Sequence, residues 1–306
     1  GDLLAANNLS DLANAGTART NLGVAIGTNV QAYDAELAAI AGLVSASDGL
    51  PYFTGSGTAS LATFTAAGRA LVDDADASAQ RTTLGLVIGT NIREILTAAR
   101  TYYVRTDGSD SNTGLVDSAG GAFLTLQKAV ASIQALDRST YDVSVTIGAG
   151  TFTGAASFAG VGPGTGNIYF AGAGATTIIS TTNANCFTAT KGAGFTVSQM
   201  KLQTTTGGNC LGATGGSITV GAGIEFGSCA GTAHCYVDGN GKIALTANYT
   251  ISGNAGYAHL FCDNGLIYPG SSLTVTASGT RAFLTFIVST YTGVMVSITN
   301  TYSGTF

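Results

Sequence analysis

The side chains of this sequence best suited to chemistry form two triplets, each with a histidine, an aromatic residue and an aspartate at alternate positions. The triplets stand 25 residues apart: His234, Tyr236 and Asp238, then His259, Phe261 and Asp263. Aromatic rings stack on sugar rings, and imidazoles bind hydroxyl groups, so the histidines and aromatic residues are the candidate ligand-binding residues. Two carboxylates about 5 Å apart resemble the pair of a retaining glycosidase, which makes Asp238 and Asp263 candidate catalytic residues.

Two other interpretations of the same residues stay open. An apolar stripe on the outside of the molecule would be an interface between copies of the chain, because a lone monomer would expose it to water. The stripe would consist of Phe187, Leu211, Tyr236 and Phe261. The two aspartates alternatively arise from simple stacking of polar turn residues, and their mutual repulsion would then raise one pKa or attract a cation.

A repeat of 24 to 25 residues determines where these side chains point. Units begin at Asn185, Asn209, His234 and His259, with a fifth near Phe283. Each unit has three short apolar segments separated by glycine-rich turns. Three short strands at a fixed period predict a parallel β-helix, in which each coil stacks on the preceding one.

The repeat also accounts for the cysteines. Cys186, Cys210 and Cys235 follow the unit starts by one position, so they are expected in one inward column, with the two triplets facing outward. Free thiols in a core behave as small hydrophobes, although stacked neighbours also lie within disulfide distance. The five cysteines include no Cys-x-x-Cys pair, so zinc spacing is not present.

Composition excludes several classes of protein. Only 12 basic and 17 acidic residues occur among 306, the net charge is -5, and glycine contributes 44 residues. With 45% hydrophobic residues the chain is too apolar to be disordered, and it lacks the basic clusters that nucleic acid requires. No apolar run approaches a membrane span, so we expect no nucleic acid and no membrane insertion. We also expect no metal and no cofactor, because the sequence has neither zinc-ligand nor EF-hand spacing and no phosphate-binding motif.

The first 98 residues predict a different architecture, a shaft or neck of short helices. Residues 9–31 and 71–93 are copies at an offset of 62, each predicting a short helix closed by glycine, and Asp34 to Ala41 predicts another. Helices this short are unstable alone. Their apolar stripes need partners, for which other copies of the chain are the nearest source.

Near residue 100 the sequence changes to segments rich in β-branched residues, which favour extended strands. Residues 99–306 are expected to form an all-β domain, a right-handed parallel β-helix. One helix, at about 124–137, interrupts the strands; its apolar residues recur at helical spacing and Thr125 is its expected N-cap. Placed once before a long run of strands, this helix would cap the open end of their core.

A family resemblance supports this division. Residues 102–136, YYVRTDGSDSNTGLVDSAGGAFLTLQKAVASIQAL, followed by GAGTFTG at 148–154, resemble the opening of pectate-lyase-like β-helix domains in bacteriophage tailspikes and tail fibres. Upstream, residues 7–23 and 50–86 resemble the short repeats of phage tail-fibre shafts. The resemblance covers most of residues 7–154.

The resemblance implies a homotrimer on the virion tail, joined to other phage tail proteins, that adheres to a bacterial surface polysaccharide or lipopolysaccharide. It transfers no catalytic residue, because no active-site motif of the family is found here. A polysaccharide hydrolase or lyase of the same architecture is the first alternative. A structural spacer, whose binding tip lies in sequence beyond Phe306, is the second.

Three further motifs have structural interpretations. Lys201 and Glu225 occupy the same place in successive units, which predicts an ion pair across coils. Residues 107–112 offer oxygens for calcium but lack EF-hand spacing, so a polar turn is expected. Residues 162–166, Gly-Pro-Gly-Thr-Gly, predict a loop without the Gly-Lys-Ser/Thr of a phosphate cradle.

Overall fold

The computed structural model describes residues 12–28, 30–88, 92–160, 162–270, 272–280, 284–290, 293–295 and 301–305. The chain divides into two compact units between Leu86 and Val87, a helical unit and a β-helix unit. The division lies before the boundary expected at residue 98, since strand β3 (Glu94–Ile95) pairs with β5 (Leu136–Asp137) of the β-helix unit.

The described residues of the helical unit form four helices and one antiparallel hairpin. Its elements are α1 (Ala15–Asn21), α2 (Ala35–Ala41), β1 (Gly49–Gly55), β2 (Thr58–Thr63), α3 (Ala66–Val72) and α4 (Ala77–Thr83). Every helix begins at a polar N-cap whose side chain accepts from a backbone N–H of the first turn: Asn14, Asp34, Thr65 and Asp76. The helices of the two copies, which lie 62 residues apart, end alike, with Gly23 and Gly85 at positive φ just beyond α1 and α4.

None of these four helices buries a residue within the described chain. Tyr33 is 86% exposed and Val44 is 85% exposed. Apolar surface of this kind is unfavourable in water. Residues 12–28 and 30–86 therefore present hydrophobic side chains but bury no core of their own.

The β-helix unit winds through three parallel sheets in turn. Sheet A contains β4 (Arg100–Val104), β6 (Val143–Ile147), β9 (Ile168–Ala171), β12 (Gly194–Ser198), β15 (Ser217–Val220), β18 (Lys242–Leu245), β21 (Leu266–Pro269) and β24 (Val294–Met295). Sheet B contains β8 (Ala156–Ala159), β11 (Phe187–Thr190), β14 (Leu211–Thr214), β17 (Ala233–Asp238), β20 (Ala258–Asp263) and β23 (Thr285–Thr290). Sheet C contains β7 (Gly150–Phe152), β10 (Thr177–Asn183), β13 (Met200–Gly207), β16 (Ile224–Phe226), β19 (Tyr249–Ile251), β22 (Thr274–Thr280) and β25 (Thr301–Thr305).

This topology confirms the parallel β-helix that the repeat predicts. From β6 to β23 each coil contributes one strand to each sheet, and successive coils pair in parallel register, as in Phe187–Leu211–Cys235–Leu260 of sheet B. Inward side chains therefore stack in columns that form one continuous apolar core. The expected fifth unit start, Phe283, lies outside the described residues.

The predicted cysteine column is wrong by one residue at its third member. Leu211 pairs with Cys235, so Cys210 shares its column with His234, while Cys235 occupies the neighbouring column. The third unit begins 24 residues after Asn209, at Ala233, because the Asn209 side chain accepts from the Ala233 N–H at 2.9 Å. All five cysteines are buried, and none of them forms a disulfide.

The helix expected near 124–137 is α5 (Leu126–Gln134). Thr125 is its N-cap and accepts from the Lys128 N–H at 3.2 Å, as the sequence predicts. One face of α5 is buried against the first coils: Leu126, Ala129, Val130 and Ile133.

Successive coils approach each other so closely at Gly253 that a side chain there should destabilise the fold. A Cβ at this position would lie 1.9 Å from the Ser228 nitrogen of the preceding coil. Gly253→Ala should therefore destabilise the protein by about 1–3 kcal/mol, measured as a shift of the urea unfolding midpoint. Gly154→Ala is the matched control, because its Cβ would meet no atom within 4 Å. Equal stability of the two variants would contradict the coil spacing.

Candidate functional site

A pair of stacked aromatic rings marks the outer face of sheet B. Tyr236 of β17 pairs in register with Phe261 of β20. Their ring centroids are 5.4 Å apart at an interplanar angle of 15°, and both residues are partly exposed. The ring of Tyr257 lies 6.0 Å from Phe261. Together they form an apolar platform of the kind on which a sugar ring can stack.

Two carboxylates lie beside this platform on the same face. Asp238 and Asp263 end β17 and β20, one residue beyond the paired Val237 and Cys262, so they occupy equivalent places in adjacent coils about 4.8 Å apart. Asp238 Oδ1 is buried and has no hydrogen-bond partner in the described part of the chain. Burial and then the charges of both carboxylates raise the pKa of Tyr236, which places the phenol close to the pair.

The expectation that His234 and His259 face outward is wrong. Both side chains are completely buried. Ala233, His234 and Cys235 are consecutive buried residues at the start of β17, so strict alternation of inward and outward side chains begins only after this corner. The ring nitrogens of both imidazoles are paired to other core groups, so they are not available to an external ligand, and these two residues leave the candidate binding surface.

The two histidines instead belong to a hydrogen-bonded chain inside the core. His234 Nε2 lies 2.8 Å from the Gly227 carbonyl, which can only accept, so Nε2 carries the proton. His234 Nδ1 then accepts from His259 Nδ1 at 3.0 Å, and His259 Nε2 accepts from the Tyr249 hydroxyl at 2.9 Å. With both imidazoles neutral, every hydrogen bond of this chain runs in one direction, from the Tyr249 hydroxyl through His259 and His234 to the Gly227 carbonyl.

The continuous apolar stripe expected on the surface is also interrupted. Phe187 and Leu211 are completely buried within the monomer, because they align with Cys235 and not with Tyr236. The outward column is Thr188, Gly212, Tyr236 and Phe261. Exposed aromatic surface is therefore confined to the last two of these positions.

The ion pair predicted across coils is confirmed. Lys201 Nζ lies 2.7 Å from Glu225 Oε1, and Ser252 donates a hydrogen bond to the same carboxylate. Burial favours the neutral acid, but the hydrogen bonds from Lys201 and Ser252 outweigh it and lower the pKa of Glu225. A carboxylate held ionised in this way is a poor general acid.

The polar segment 107–112 holds its own loop together. Asp107 binds Arg105 at 2.8 Å, and Asp110 accepts from the Thr125 N–H at 2.9 Å and the Thr125 hydroxyl at 2.7 Å. The aspartate oxygens thus form internal contacts, as expected for a turn. No group of three or more His, Cys, Asp or Glu among the described residues is arranged to hold a metal ion.

A second surface feature, missed by the sequence analysis, is a groove of about 470 Å³ beside Arg138. It lies between the loop 162–167 and the starts of β12 and β15, and we call it the Arg138 groove. The sequence indicates Gly162–Gly166 as a loop, but nothing in its spacing pairs that loop with an arginine 26 residues earlier. The one available signal is that Arg138 follows the apolar helix expected at about 124–137 in a chain with few charges.

A comparison of the chain with protein-family models, curated proteins and solved structures finds no match. No helix in the described ranges has the length and apolar character that crossing a membrane requires.

The buried histidines predict a loss of stability in acid. Burial lowers the pKa of His234 to about 4 and, with the neighbouring His234, lowers that of His259 well below its ordinary value. The unfolded chain binds these protons near pH 6.5, so the contribution is fully present above that pH and is lost as the pH falls towards 4. The loss at His234 alone is about 3 kcal/mol.

Urea unfolding at pH 7.5, 5.5 and 4.5 measures this loss. Because the chain has only two histidines, their ring proton resonances are a direct control: they should titrate near pH 6.5 in urea and stay unchanged to about pH 5 in the folded protein. Titration of both rings near 6.5 in the folded protein would contradict their burial.

Proposed function

We propose that this chain is an adhesive tail fibre or tailspike of a bacteriophage, which binds a glycan on the bacterial surface through the outer face of its β-helix. The stacked pair of Tyr236 and Phe261, bordered by Asp238 and Asp263, is the observation that carries this proposal. Stacked rings offer a sugar an apolar face, and the adjacent carboxylates accept hydrogen bonds from its hydroxyl groups.

The rigidity of the scaffold suits such a role. The platform lies on adjacent strands of a sheet whose backbone hydrogen bonds continue from coil to coil, and its rings rest above a closed core. Side chains placed this way lose little freedom when a ligand binds, which favours affinity.

A trimer would add avidity to a weak single site. The helical unit exposes apolar side chains, among them Tyr33 and Val44 on either side of α2, a helix that itself buries no residue. Packing of equivalent units from three copies would cover this surface and form the shaft. Three sites on one body make later contacts intramolecular.

A polysaccharide hydrolase or lyase is the second candidate. Its specific support is the buried, unpartnered Oδ1 of Asp238 beside Asp263, since strands about 4.8 Å apart allow their carboxylates to reach the separation of about 5–5.5 Å found in a retaining glycosidase. New reducing ends or unsaturated-sugar absorbance after incubation with bacterial polysaccharides would favour this candidate over adhesion. A structural spacer would show neither products nor binding.

Assembly of the helical unit predicts a mass of about 91 kDa in sedimentation equilibrium, three times 30.4 kDa. Tyr33→Asp should reduce the mass towards the monomer, because a carboxylate cannot be buried unpaired in an apolar interface. Leu115→Asp is the control, since Leu115 is an exposed leucine of the β-helix unit. A wild-type monomer at micromolar concentration would refute the shaft.

Binding is tested on an array of purified capsular polysaccharides and lipopolysaccharides. Tyr236→Ala should weaken binding to any recognised glycan by about ten-fold or more, because a half-buried aromatic anchor is removed. Leu115→Ala, at an exposed apolar residue outside sheet B, should bind as the wild type. Unchanged binding by Tyr236→Ala, with the trimer intact, would exclude the platform as the contact surface.

A further inference from the structure

The Arg138 groove contains a buried cation that the fold leaves partly unpaired. The Arg138 side chain is only 5% exposed. Its Nε donates to the Gly166 carbonyl at 3.0 Å and its Nη2 to the Gly164 carbonyl at 3.2 Å. Nη1 is buried without a hydrogen-bond partner in the described part of the chain.

The bonds to the loop account for only two of the three guanidinium nitrogens of Arg138. The two carbonyl bonds fix the loop against residues 138–141, and Gly164 and Gly166 permit it, since a Cβ at either would approach the opposite backbone within 2.4 Å or less. Neither bond uses Nη1. A buried donor on a charged group costs about 1–3 kcal/mol or more when it is left unsatisfied.

The surroundings of this nitrogen suit an anion. None of the described residues lining the groove is acidic. Asp137, adjacent in the chain, raises the pKa of Arg138, but burial outweighs it and the net shift is downward. Gly162 places no side chain beside Nη1, whereas a Cβ there would lie 3.4 Å from it.

Hydroxyl groups line the opposite wall of the groove. Thr196 of β12 and Thr219 of β15 are register partners in adjacent coils, and Ser217 lies next to them. All three are partly exposed, and their side chains make no hydrogen bond to another described residue. A ladder of hydroxyls beside a cation matches a sugar that carries both hydroxyl groups and a negative charge.

We propose that the Arg138 groove binds a segment of an acidic glycan, whose carboxylate or phosphate accepts a hydrogen bond from Arg138 Nη1 while Thr196, Ser217 and Thr219 of the next two coils bind hydroxyl groups of the same and the adjoining sugar unit. The proposal rests on the proposed adhesion to a surface glycan and names the class of glycan. Charge-assisted hydrogen bonds to a buried guanidinium are strong and directional. The groove volume lies within the range of sites for small ligands.

The test uses three probes on the whole protein: D-glucuronate, glucose 6-phosphate and glucose, titrated at constant ionic strength by saturation-transfer NMR. Glucuronate or glucose 6-phosphate should bind at least about ten-fold more tightly than glucose, since one charge-assisted hydrogen bond exceeds a factor of ten. The preferred anion distinguishes a uronic acid from a phosphorylated sugar.

Two variants isolate the nitrogen from the fold. Arg138→Met should abolish the preference for the anions. Gly162→Ala keeps the arginine and both carbonyl bonds but fills the space beside Nη1, and it should weaken anion binding with an unchanged unfolding midpoint. Lys128→Met, which removes one positive charge outside the groove, and Gly154→Ala should both behave as the wild type.

Equal binding of glucose and the two anions, or anion binding that survives both Arg138→Met and Gly162→Ala, would overturn the proposal. The polysaccharide array separates this failure from failure of the proposed function. Glycan binding on the array without a preference for acidic sugars refutes only the groove. Absence of any glycan binding refutes adhesion and the groove together.

Discussion

Hydrogen bonding between successive coils is the constraint on which the rest of this structure depends. Each strand of the β-helix unit pairs in parallel with the strand one coil earlier, so a residue's chemical surroundings are set by the residues about 24 positions before and after it. The inward columns must then be apolar or internally paired at every level. His234 and His259 satisfy this rule as neutral rings that bond to each other, to the Gly227 carbonyl and to Tyr249.

The same constraint explains which parts of the fold were predictable. Period, turn glycines and apolar segments are all local in the sequence, and they were sufficient for the parallel β-helix, for α5 with its cap at Thr125, and for the ion pair between Lys201 and Glu225. The register of each unit, which residue of one coil lies next to which residue of the following coil, was harder to predict. A step of 24 and a step of 25 both align plausible residues at His234, and the choice is made by the Asn209 side chain, which bonds the Ala233 N–H.

The register set at Asn209 changes which residues belong to the candidate site. Placing His234 opposite Cys210 puts it at a corner where consecutive side chains point inward, so alternation fails there although it holds for Tyr236 and Asp238. Arg138 was missed for a different reason. Its partners are backbone carbonyls of a loop 26 residues away, and backbone groups leave no trace in residue types. The hairpin of the helical unit was also missed. Every residue of β1 is exposed, so its sequence shows no alternation of buried and exposed side chains.

The two surface features differ in charge in a way that bears on recognition. The chain carries a net charge of -5, and Asp238 and Asp263 add negative charge beside the aromatic platform, so long-range electrostatics disfavour approach of an acidic glycan. Salt screens such long-range repulsion within about 10 Å at 0.1 M, but it weakens contacts with a buried guanidinium much less. An acidic glycan bound at Arg138 would thus be held by short-range, desolvated hydrogen bonds, while the platform suits neutral sugar rings. A polymer that alternates acidic and neutral units would satisfy both features.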